Sequence, residues 1–369
     1  MKQGWEYKKL DSCAYIEYGT RVVQKKDGGT IYPVYGGGGE TFRIDRFNRE
    51  DCLIVARFAM SPLCVRYVKG KFFLNDSGLS VKAGKELYQS YLNHHIKFLN
   101  DKIYNLGKGA AQRNLDIKSF KNLQIGIPPK STQLAIVFEL DKINELIRLK
   151  KEQLKDFDNL AQSIFYEMFG DPVENEKGWE VKKLGDSIKV IGGYAFCSKN
   201  FLKSGIPVLR IGNINTGKFT PTNMVYWQKD EGLSRYRILP GDLVISLTGT
   251  VGKSDYGNVC ILGNDYEEYY LNQRNAKLEV SSNLNKYFLT YLLKQDMIRK
   301  KLTGINRGVR QANIANRDIE NLNIPLPPLP LQHLFAQRIE QIEHQKAEVQ
   351  KAIADLETLL ASRMQYWFE

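Results

Sequence analysis

The segment closest to a phosphate-binding loop is Gly249-Thr250-Val251-Gly252-Lys253-Ser254, because glycine amides and a lysine are the groups that wrap the phosphates of a nucleotide. The spacing does not fit, since the first glycine of the G-x-x-x-x-G-K-S/T pattern would fall on Leu247. Ser254-Asp255-Tyr256-Gly257 also does not open the helix that such a loop needs. We therefore expect a turn between two strands, in which Lys253 is free to contact a single backbone phosphate.

Metal-binding patterns are equally weak. His94 and His95 are adjacent, so on a helix their side chains diverge by about 100° and do not chelate one ion. Asp171 upstream of Glu180-Val181-Lys182 resembles a metal nuclease dyad, but it falls at a junction between segments. The corresponding Glu6-Tyr7-Lys8 has no upstream aspartate. We expect a solvated linker there and no metal site.

Nucleophile and cofactor motifs are also missing from the sequence. The five cysteines show no C-x-x-C spacing, which argues against a disulfide framework and a zinc site and favours a reducing compartment. Four histidines leave little choice of general base. We find no dinucleotide-binding glycine pattern and no Asn-Pro-Pro-aromatic run of the kind that positions an extruded adenine. We therefore expect no catalytic residue and no cofactor in this chain.

The sequence contains no segment that predicts membrane insertion. Residues 1–10 lack an apolar core, and the chain has no 18-residue apolar run. We expect a soluble, cytoplasmic protein.

Comparison of the chain with itself reveals a long internal repeat. Trp5-Glu6-Tyr7-Lys8-Lys9-Leu10 returns as Trp179-Glu180-Val181-Lys182-Lys183-Leu184, at an offset of 174 residues. A later block that begins at Gln112 and includes Pro128-Pro129 returns at an offset of 199 residues, which persists to the end of the chain. Each copy is therefore a variable globular segment followed by a constant tail. The predicted boundaries are 1–130, 131–175, 176–328 and 329–369.

Each constant tail is predicted to be one long helix. Pro128-Pro129 bars a helix upstream, Ser131 is a candidate cap, and Gly170-Asp171-Pro172 ends the pattern. Apolar residues recur in steps of three and four, with Lys150 and Lys346 as the polar interruptions. The positions in the two tails are Leu140, Ile143, Ile147, Leu154, Phe157, Ala161 and Ile164, and Ile339, Ile342, Val349, Ile353, Leu356 and Leu360.

A narrow apolar seam of this length needs a partner, and the obvious partner of each tail is the other tail. Pseudo-twofold symmetry of the two copies predicts an antiparallel pair with one globular segment at each end. The alternative is that each helix packs on its own globular segment.

Positive charge is concentrated in the globular segments. The chain carries 53 Lys and Arg against 41 Asp and Glu. Residues 1–130 have 22 basic and 12 acidic groups and residues 176–328 have 22 and 14, whereas both tails are net acidic. A polyanion such as nucleic acid would therefore meet the globular segments, and the helices would hold them apart and contact protein.

The globular segments are predicted to mix strands and helices. Short apolar runs rich in β-branched residues, such as 51–57 and 242–247, alternate with Gly and Asn turns. Residues 85–105 and 284–303 each predict one helix. The expected fold class is α+β, with two mixed α/β domains in a pseudo-twofold repeat, separated by two long helices that form an antiparallel coiled coil.

Taken over its whole length, the chain resembles the specificity subunits of type I restriction-modification systems. The resemblance rests on the W-E-x-K-K-L type starts at Trp5 and Trp179, on the Pro-rich segments before the helices, and on the tail Leu160–Asp171. In the second copy it also rests on Gly205-Ile206-Pro207-Val208-Leu209-Arg210-Ile211-Gly212-Asn213-Ile214, Pro240-Gly241-Asp242-Leu243-Val244-Ile245-Ser246 and Leu271-Asn272-Gln273-Arg274.

The first copy departs from this pattern. It has Tyr32-Pro33-Val34-Tyr35-Gly36-Gly37 and Phe72-Phe73-Leu74-Asn75-Asp76 and lacks the Pro-Gly-Asp turn, so it resembles a different recognition-domain subtype. This difference leaves residue-by-residue transfer between the two copies open.

The resemblance implies two target-recognition domains, each reading one half of an asymmetric bipartite DNA site, with the paired helices fixing the gap between the halves. It also implies two adenine methyltransferase subunits and translocating restriction subunits as partners. AdoMet, ATP and Mg²⁺ would belong to those partners. One added helical turn of about 5.4 Å corresponds to one or two base pairs at about 3.4 Å each, so helix length would set the spacing.

The candidate DNA-contacting residues are side chains that can bond base edges or phosphates. In the first copy they are Arg21, Lys25, Lys26, Tyr35, Arg57, Lys108, Gln112 and Arg113, and in the second Ser198, Lys199, Arg210, Thr248, Lys253, Arg274, Arg307, Arg310 and Gln311.

Some of these candidates lie in a stretch that occurs in both copies of the repeat. Residues 307–311 match residues 108–112, and that repetition favours a shared contact with the DNA backbone over sequence-specific readout. The glycine run after Tyr35 is either a flexible surface loop or a close approach to DNA.

Two other functions remain open at this point. One is a coiled-coil scaffold whose basic domains bind nucleic acid without sequence preference. The other is an enzyme that acts on nucleic acid unaided, against which the lack of a catalytic motif counts.

Overall fold

The computed structural model describes residues 2–109, 112–253, 255–304 and 311–369, with Gln311 described by its backbone alone. The chain divides into two compact units. The first unit is Met1–Gln153 with Val349–Glu369, and the second unit is Leu154–Glu348. Each long helix therefore contributes one part to each unit. The boundaries predicted from the sequence repeat instead treat each helix as a separate segment.

The first unit is built on a six-stranded sheet with the strand order β2-β7-β5-β6-β3-β4. Two further antiparallel pairs, β1 with β10 and β8 with β9, complete the strands described in this unit. The strands are β1 (Glu6–Lys9), β2 (Ala14–Tyr18), β3 (Tyr32–Gly36), β4 (Gly39–Ile44), β5 (Arg49–Ala56), β6 (Val65–Leu74), β7 (Gly78–Ala83), β8 (Gly107–Lys108), β9 (Asn114–Leu115) and β10 (Gln124–Ile127). The helices are α1 (Leu10–Cys13), α2 (Gln24–Asp27), α3 (Gln89–Phe98), α4 (Asn100–Asn105), α5 (Ile117–Lys121) and the first part of α6 (Lys130–Phe169).

The second unit contains two four-stranded sheets with the orders β12-β20-β16-β18 and β14-β13-β19-β15. The strands are β11 (Glu180–Lys183), β12 (Ile188–Gly192), β13 (Ile206–Leu209), β14 (Val225–Trp227), β15 (Arg237–Ile238), β16 (Leu243–Ser246), β17 (Thr248–Thr250), β18 (Val259–Ile261), β19 (Tyr269–Leu271), β20 (Asn275–Val280), β21 (Gln311–Asn313) and β22 (Asn323–Leu326). The pairs β11 with β22 and β17 with β21 are antiparallel. The helices are α7 (Lys286–Lys294), α8 (Asp296–Thr303), α9 (Asn316–Glu320) and the first part of α10 (Leu329–Phe368).

The central strand of each unit is buried on both faces. In β5, Leu53 and Val55 face the helix-covered core, while Ile54 faces a second cluster with Val68 and Phe72. In β16, Leu243 and Ile245 face the core that includes α7, and Val244 faces a separate cluster. Alternate residues of a strand point to opposite faces, so an uninterrupted apolar run is what such a strand requires. The expected α+β class is confirmed.

Two helices follow β7 and two follow β20. The prediction of one helix over residues 85–105 and one over residues 284–303 was therefore wrong. Each region is broken once, at Leu99 and at Gln295. Gln295 adopts extended backbone angles, and its side chain accepts a hydrogen bond from the Tyr166 hydroxyl (2.7 Å). Asn100, directly after the first break, binds the backbone of Cys64 and Pro62. Tertiary hydrogen bonds therefore end helices that the apolar periodicity would continue.

Both long helices form as predicted, and each spans 40 residues. Ser131 does not cap the first one, because α6 already begins at Lys130, directly after Pro129. Gly170 ends this helix with a positive φ of 76°, and its N–H donates to the carbonyl of Tyr166 (2.8 Å). Prolines before the helix and a left-handed glycine after it thus define its length.

A buried glutamine fixes the start of each long helix. The Gln133 side chain accepts from the N–H of Tyr88 (2.9 Å) and donates to the carbonyl of Pro128 (2.9 Å). The Gln332 side chain accepts from the N–H of Asn285 (2.8 Å) and donates to the carbonyl of Pro327 (2.8 Å). Both glutamines are fully buried. They are the same residue of the repeat, at the 199-residue offset.

Within each unit, α6 and α10 contact one another in opposite residue order. In the first unit Glu139 pairs with Arg363 and Lys151 with Glu357, so the two segments run antiparallel there. In the second unit Lys346 binds Asp158 (2.8 Å), and Phe335 packs on Phe165. That the helices supercoil as a coiled coil stays a prediction. No helix in the described part of the chain is long and apolar enough to cross a membrane.

Candidate nucleic-acid interface

A tight turn follows β6 in the first unit and fixes the geometry of the candidate surface. It comprises Asn75–Gly78, with the Gly78 N–H donating to the Asn75 carbonyl (3.0 Å). The Asn75 side chain accepts from the N–H of Ser77 (3.2 Å). Asparagine favours the first position of such turns because its side chain bonds its own backbone two residues on.

The second unit contains the same turn after β19. The Asn275 N–H donates to the Asn272 carbonyl (2.9 Å), and the Asn272 side chain accepts from the N–H of Arg274 (3.2 Å). Both turns are also attached to the neighbouring parallel strand, by Asn75 N–H to Tyr35 O (2.8 Å) and Asn272 N–H to Leu209 O (3.3 Å). The first copy thus has a counterpart of Leu271-Asn272-Gln273-Arg274 in Leu74-Asn75-Asp76-Ser77, an equivalence that its sequence left open.

A glycine packs directly against each turn. A Cβ on Gly19 would lie 2.0 Å from the Asn75 carbonyl oxygen, and one on Gly193 would lie 2.2 Å from that of Asn272. These glycines are related by the 174-residue offset of the first repeat. Only a residue without a side chain permits such close approach of two backbones.

The loop after the central strand meets the same turn in both units. Arg57 N–H donates to Ser77 O (2.8 Å), and Leu247 N–H donates to Arg274 O (2.8 Å). The carbonyls of these residues accept in turn from the N–H groups of Leu115 and Ile314, at 2.8 Å each. In each unit the turn therefore meets the loop after the central strand and the stretch before a short helix, α5 in the first unit and α9 in the second. We call this meeting point the convergence of that unit.

Arg57 and Arg113 come together at this convergence. The guanidinium of Arg57 lies 5.0 Å from the ring centre of Tyr18 and 4.4 Å from that of Phe58. The guanidinium of Arg113 lies 4.6 Å from the Tyr104 ring, and the Arg113 carbonyl accepts from the N–H of Met60 (3.0 Å). Stacking on an aromatic face holds a guanidinium in place without neutralising its charge.

Lys108 and Gln112 lie at the rim of this group. Lys108 is 78% exposed and pairs with Asp116 at 2.5 Å. The hydrogen bonds of Asp116 with Lys108 and Ser119 lower the pKa of the Asp116 carboxyl to about 2. Gln112 is exposed. The Lys108 ammonium is therefore already paired within the chain.

The glycine run after Tyr35 is held in place. The Tyr35 ring contacts Phe72 edge-on at 5.5 Å, and the Gly37 N–H donates to the Ser77 hydroxyl (3.2 Å). A Cβ on Gly37 would lie 2.2 Å from the carbonyl oxygen of Phe58, so this run packs against the Arg57 loop. Gly38 is exposed with open space around it. Close packing decides against the reading of this segment as a loose surface loop.

Two basic candidates of the first unit lie away from the Asn75 turn. Lys25 and Lys26 are exposed on α2, which contacts β4. Arg21 is also exposed, but it directly follows Thr20, whose N–H donates to the carbonyl of Leu74 (2.9 Å) at the start of the turn. The structure therefore places Arg21 near the turn and the two lysines apart from it.

In the second unit, Arg210 and Arg274 flank the Asn272 turn. Arg274 is exposed at the third turn position. Arg210 follows Leu209, donates through Nη2 to the carbonyl of Asn223 (2.5 Å), and has a buried Nε without a partner among the described residues. One nitrogen of Arg210 thus already binds within the chain, whereas Arg274 is exposed to solvent.

The segment around Lys253 forms the turn that its sequence predicts. Thr248 lies in β17, which pairs with β21 so that Thr250 faces Gln311. The Lys253 N–H donates to the carbonyl of Thr250 (3.0 Å), and Lys253 is exposed. Among the described residues no helix lies between Lys253 and β18, so the segment does not have the phosphate-loop architecture.

The remaining candidates are less informative. Ser198 and Lys199 are exposed in the 3-10 turn Ser198–Asn200. Arg307 and Arg310 lie outside the described residues, and Gln311 is described only by its backbone in β21.

Sequence reasoning missed several residues at the convergence. Arg66 donates to the Gly37 carbonyl (3.0 Å) and to the Ser61 hydroxyl (3.2 Å). Asp76 and Gln273 occupy the second position of the two turns, and Tyr194 lies beside the second turn. The signal was the Leu-Asn pair shared by Leu74-Asn75 and Leu271-Asn272, which lies at a third offset between the two that the repeat revealed.

Four of the five cysteines, Cys13, Cys52, Cys64 and Cys260, are buried, and Cys197 is exposed. Burial raises the pKa of the Cys13 and Cys52 thiols to about 11 and that of Cys260 to about 12. In the described part of the chain no three His, Cys, Asp or Glu side chains are grouped to hold a metal ion. The arrangement therefore offers hydrogen-bond donors, stacked guanidiniums and exposed cations.

The chain matches a known protein family. Residues 2–156 and 176–358 match the profile described as "Type I restriction modification DNA specificity domain". The chain is 26% identical over 328 residues to the type I restriction enzyme MjaVIII specificity subunit of Methanocaldococcus jannaschii, covering 79% of this chain and 75% of that protein. It is 26% identical over 190 residues to the EcoKI specificity subunit of Escherichia coli, covering 47% of this chain and 39% of that protein.

A solved structure has the same overall fold. The type I restriction-modification system S subunit from M. genitalium aligns over 100% of this chain and 98% of its own, with a TM-score of 0.57 and 17% identity.

Proposed function

The chain belongs to the type I restriction-modification DNA specificity family, and from this premise we propose that it is the sequence-specific DNA-binding subunit of such a complex. Each unit reads one half of a bipartite, asymmetric DNA site, and the long helices set the spacing between the halves. We assign residues 1–130 and 176–328 to the two recognition domains and the helical segments to the spacer. The family model matches residues 2–156 and 176–358, so each match spans one proposed recognition domain together with part of the helix that follows it.

One observation carries the proposal. The same backbone framework occurs in both units, built from Gly19 and the Asn75 turn in one and from Gly193 and the Asn272 turn in the other. The side chains on the framework differ, because Asp76-Ser77 in the first turn corresponds to Gln273-Arg274 in the second. Two equivalent surfaces with different side chains suit the reading of two different half-sites.

Charge supports a nucleic-acid partner. The two globular segments carry net charges of +10 and +8. The first unit presents Arg57 and Arg113, and the second unit presents Lys253 and Arg274. Cations at these positions would neutralise phosphates and release counterions, which supplies most of the sequence-independent affinity. Base readout would come from a minority of the contacts.

We assign the chemistry to other chains. Two adenine methyltransferase subunits and the restriction subunits would bind AdoMet, ATP and Mg²⁺, and this chain would be non-catalytic. Support comes from the site itself, which offers donors and cations but no arranged nucleophile, base or group of metal ligands among the described residues. A function on chromosomal DNA places the proposed activity in the cytoplasm.

The decisive experiment is a genome-wide map of N6-methyladenine in the source cell, with the gene intact and with the gene deleted. A split, asymmetric motif that disappears on deletion would support the proposal and would give both half-sites and their spacing. Replacing residues 1–130 by the equivalent segment of another subunit should then change one half of the motif only. An unchanged map in a cell that expresses the chain would contradict the proposal and favour binding without sequence preference.

A further inference from the structure

We propose that Asp76 and Gln273 are specificity-determining residues that read base edges from equivalent positions of the two units. Each occupies the second position of the turn that the two units share. This inference rests on the proposed function, because it names which side chains distinguish the half-sites.

The turns hold these two residues in the same backbone setting. In each turn the first and fourth residues are joined by a backbone hydrogen bond, at 3.0 Å for Asn75 and 2.9 Å for Asn272. The asparagine side chain closes the same inner ring in both, at 3.2 Å. The Gln273 N–H is further bound to the carbonyl of Tyr194 (2.9 Å). A turn whose backbone is fixed in this way loses little backbone conformational entropy on binding.

The side chains at the tips are free to bind a partner. Within the described residues, neither the Asp76 carboxylate nor the Gln273 amide takes part in a hydrogen bond or an ion pair. Gln273 is exposed and Asp76 is half-exposed. By contrast, the Ser77 hydroxyl at the third position already accepts from Gly37. The second position is therefore the one whose polar groups are unused in both units.

A basic side chain, Arg57, lies next to Asp76 and limits the partners that the Asp76 carboxylate can bind. The Arg57 guanidinium, stacked over Tyr18 and Phe58, donates to the backbone carbonyl of Asp76 (3.5 Å). A DNA duplex at this surface would bring phosphates close to the carboxylate, which they repel. A carboxylate at such a tip is favourable only where it accepts from a base amino group, and cytosine N4 is the donor that Asp and Glu bind in the major groove.

Gln273 has a different hydrogen-bonding capacity at the same position. Its side-chain amide both donates and accepts, which matches the N6 and N7 positions of adenine. The two units would therefore require different base pairs at this point of their half-sites, a C·G pair for Asp76 and an A·T pair for Gln273. Exchanging the two side chains should exchange the requirement.

The experiment is a reciprocal substitution in the full chain, read by methylome mapping in the source cell. Asp76→Gln should alter the base required at one position of the half-site read by the first unit. Gln273→Asp should alter one position of the other half-site. We expect discrimination at the affected position to change about 10-fold or more, with the spacing and the other half-site unchanged.

Gln228→Asp is the matched control for the second unit. Gln228 is exposed and follows Trp227, which pairs with Ile206 at the end of β13 away from Leu209. The same chemical change there should leave the motif intact. Asp76→Ala, which has no hydrogen-bonding group, should relax the first half-site at a single position, and its thermal unfolding should match that of the wild type.

The outcomes separate this inference from the proposed function. A split motif in the wild type that is unchanged by all tip substitutions would overturn the inference and leave the proposed function standing. Equal weakening at every sequence would also overturn it, because that is the behaviour of a phosphate contact. A wild-type map without a split motif would remove the proposed function and this inference with it.

Discussion

Glu139 and Arg363 lie 224 residues apart in the chain and form a bidentate ion pair, with Arg363 Nε and Nη2 donating to the two carboxylate oxygens of Glu139. The Trp367 indole N–H donates to the same carboxylate (2.9 Å). Both residues belong to the first unit, so the C-terminal end of α10 is part of the domain that starts the chain. The C-terminal end of α10 thus contributes contacts to the first unit.

Removing the Glu139 charge should make this contact independent of pH. Hydrogen bonds from Arg363 hold the pKa of Glu139 below its usual range. A carboxyl group with a lowered folded-state pKa stabilises the protein above its unfolded pKa and loses that effect as the pH falls through the folded pKa. Glu139→Gln should cost about 0.5–1 kcal/mol at pH 7 and less at pH 3. Denaturant unfolding at both pH values tests this, and an equal cost at both would contradict it.

The buried glutamine at the start of each long helix should be a major source of stability. Gln133→Ala removes the hydrogen-bond partner of the Tyr88 N–H and of the Pro128 carbonyl, so we expect a loss of about 2–3 kcal/mol. Gln332→Ala should do the same in the second unit through Asn285. Hydrogen exchange of the Tyr88 and Asn285 amides reports each unit separately. Gln162→Ala, at an exposed position of α6, is the control and should have little effect.

Lys346 should fix the register of the helix contact in the second unit at no gain in stability. This buried ammonium binds Asp158 (2.8 Å) and Glu343 (2.7 Å). Asp158→Asn should destabilise by about 2–3 kcal/mol because it leaves a buried charge poorly paired, whereas Lys346→Met should be neutral or stabilising. Lys218→Met is the control, since Lys218 binds the same carboxylate from an exposed position. Strong destabilisation by Lys346→Met would contradict the prediction.

Acid should destabilise the first unit through His95. The ring is buried and stacked on Phe368 at 4.6 Å, and burial lowers its pKa to about 3. The unfolded chain therefore binds a proton that the folded chain does not, so stability falls as the pH drops below about 6.5, by roughly 1.4 kcal/mol per unit at most. His95→Phe should flatten this slope in unfolding measurements between pH 4 and pH 7. Replacement of the exposed His344 should leave it unchanged.

Lys253 should contact the DNA backbone and not a base. Lys253→Ala should weaken binding equally for all sequences and reduce the slope of log K against log salt by about 0.9. Fluorescence anisotropy over a salt series, with cognate and scrambled duplexes, measures both quantities. Lys229→Ala removes the same charge from an exposed site next to Gln228 and should leave the slope nearly unchanged. A loss confined to the cognate duplex would assign Lys253 to base readout.

Much of this organisation is encoded locally and was therefore predictable. The seam from Leu140 to Ile164 follows helical periodicity, and Pro129 and Gly170 limit the helix by their own backbone restrictions. The repeat, the concentration of charge and the turn around Lys253 also follow from residues that are close in sequence. The same information could not locate the helix breaks at Leu99 and Gln295, because tertiary hydrogen bonds to Asn100 and Gln295 accompany them.

The sequence by itself determined that two equivalent basic domains alternate with two long helices, since composition, periodicity and repeat offsets are properties of the linear chain. Only the tertiary structure decided that Arg57, the Asn75 turn and Arg113 form one surface, and that Asp76 corresponds to Gln273. The physical reason is that these residues meet through backbone hydrogen bonds between strands distant in the chain. Segments of different length separate them in the two copies, so no single offset aligns them.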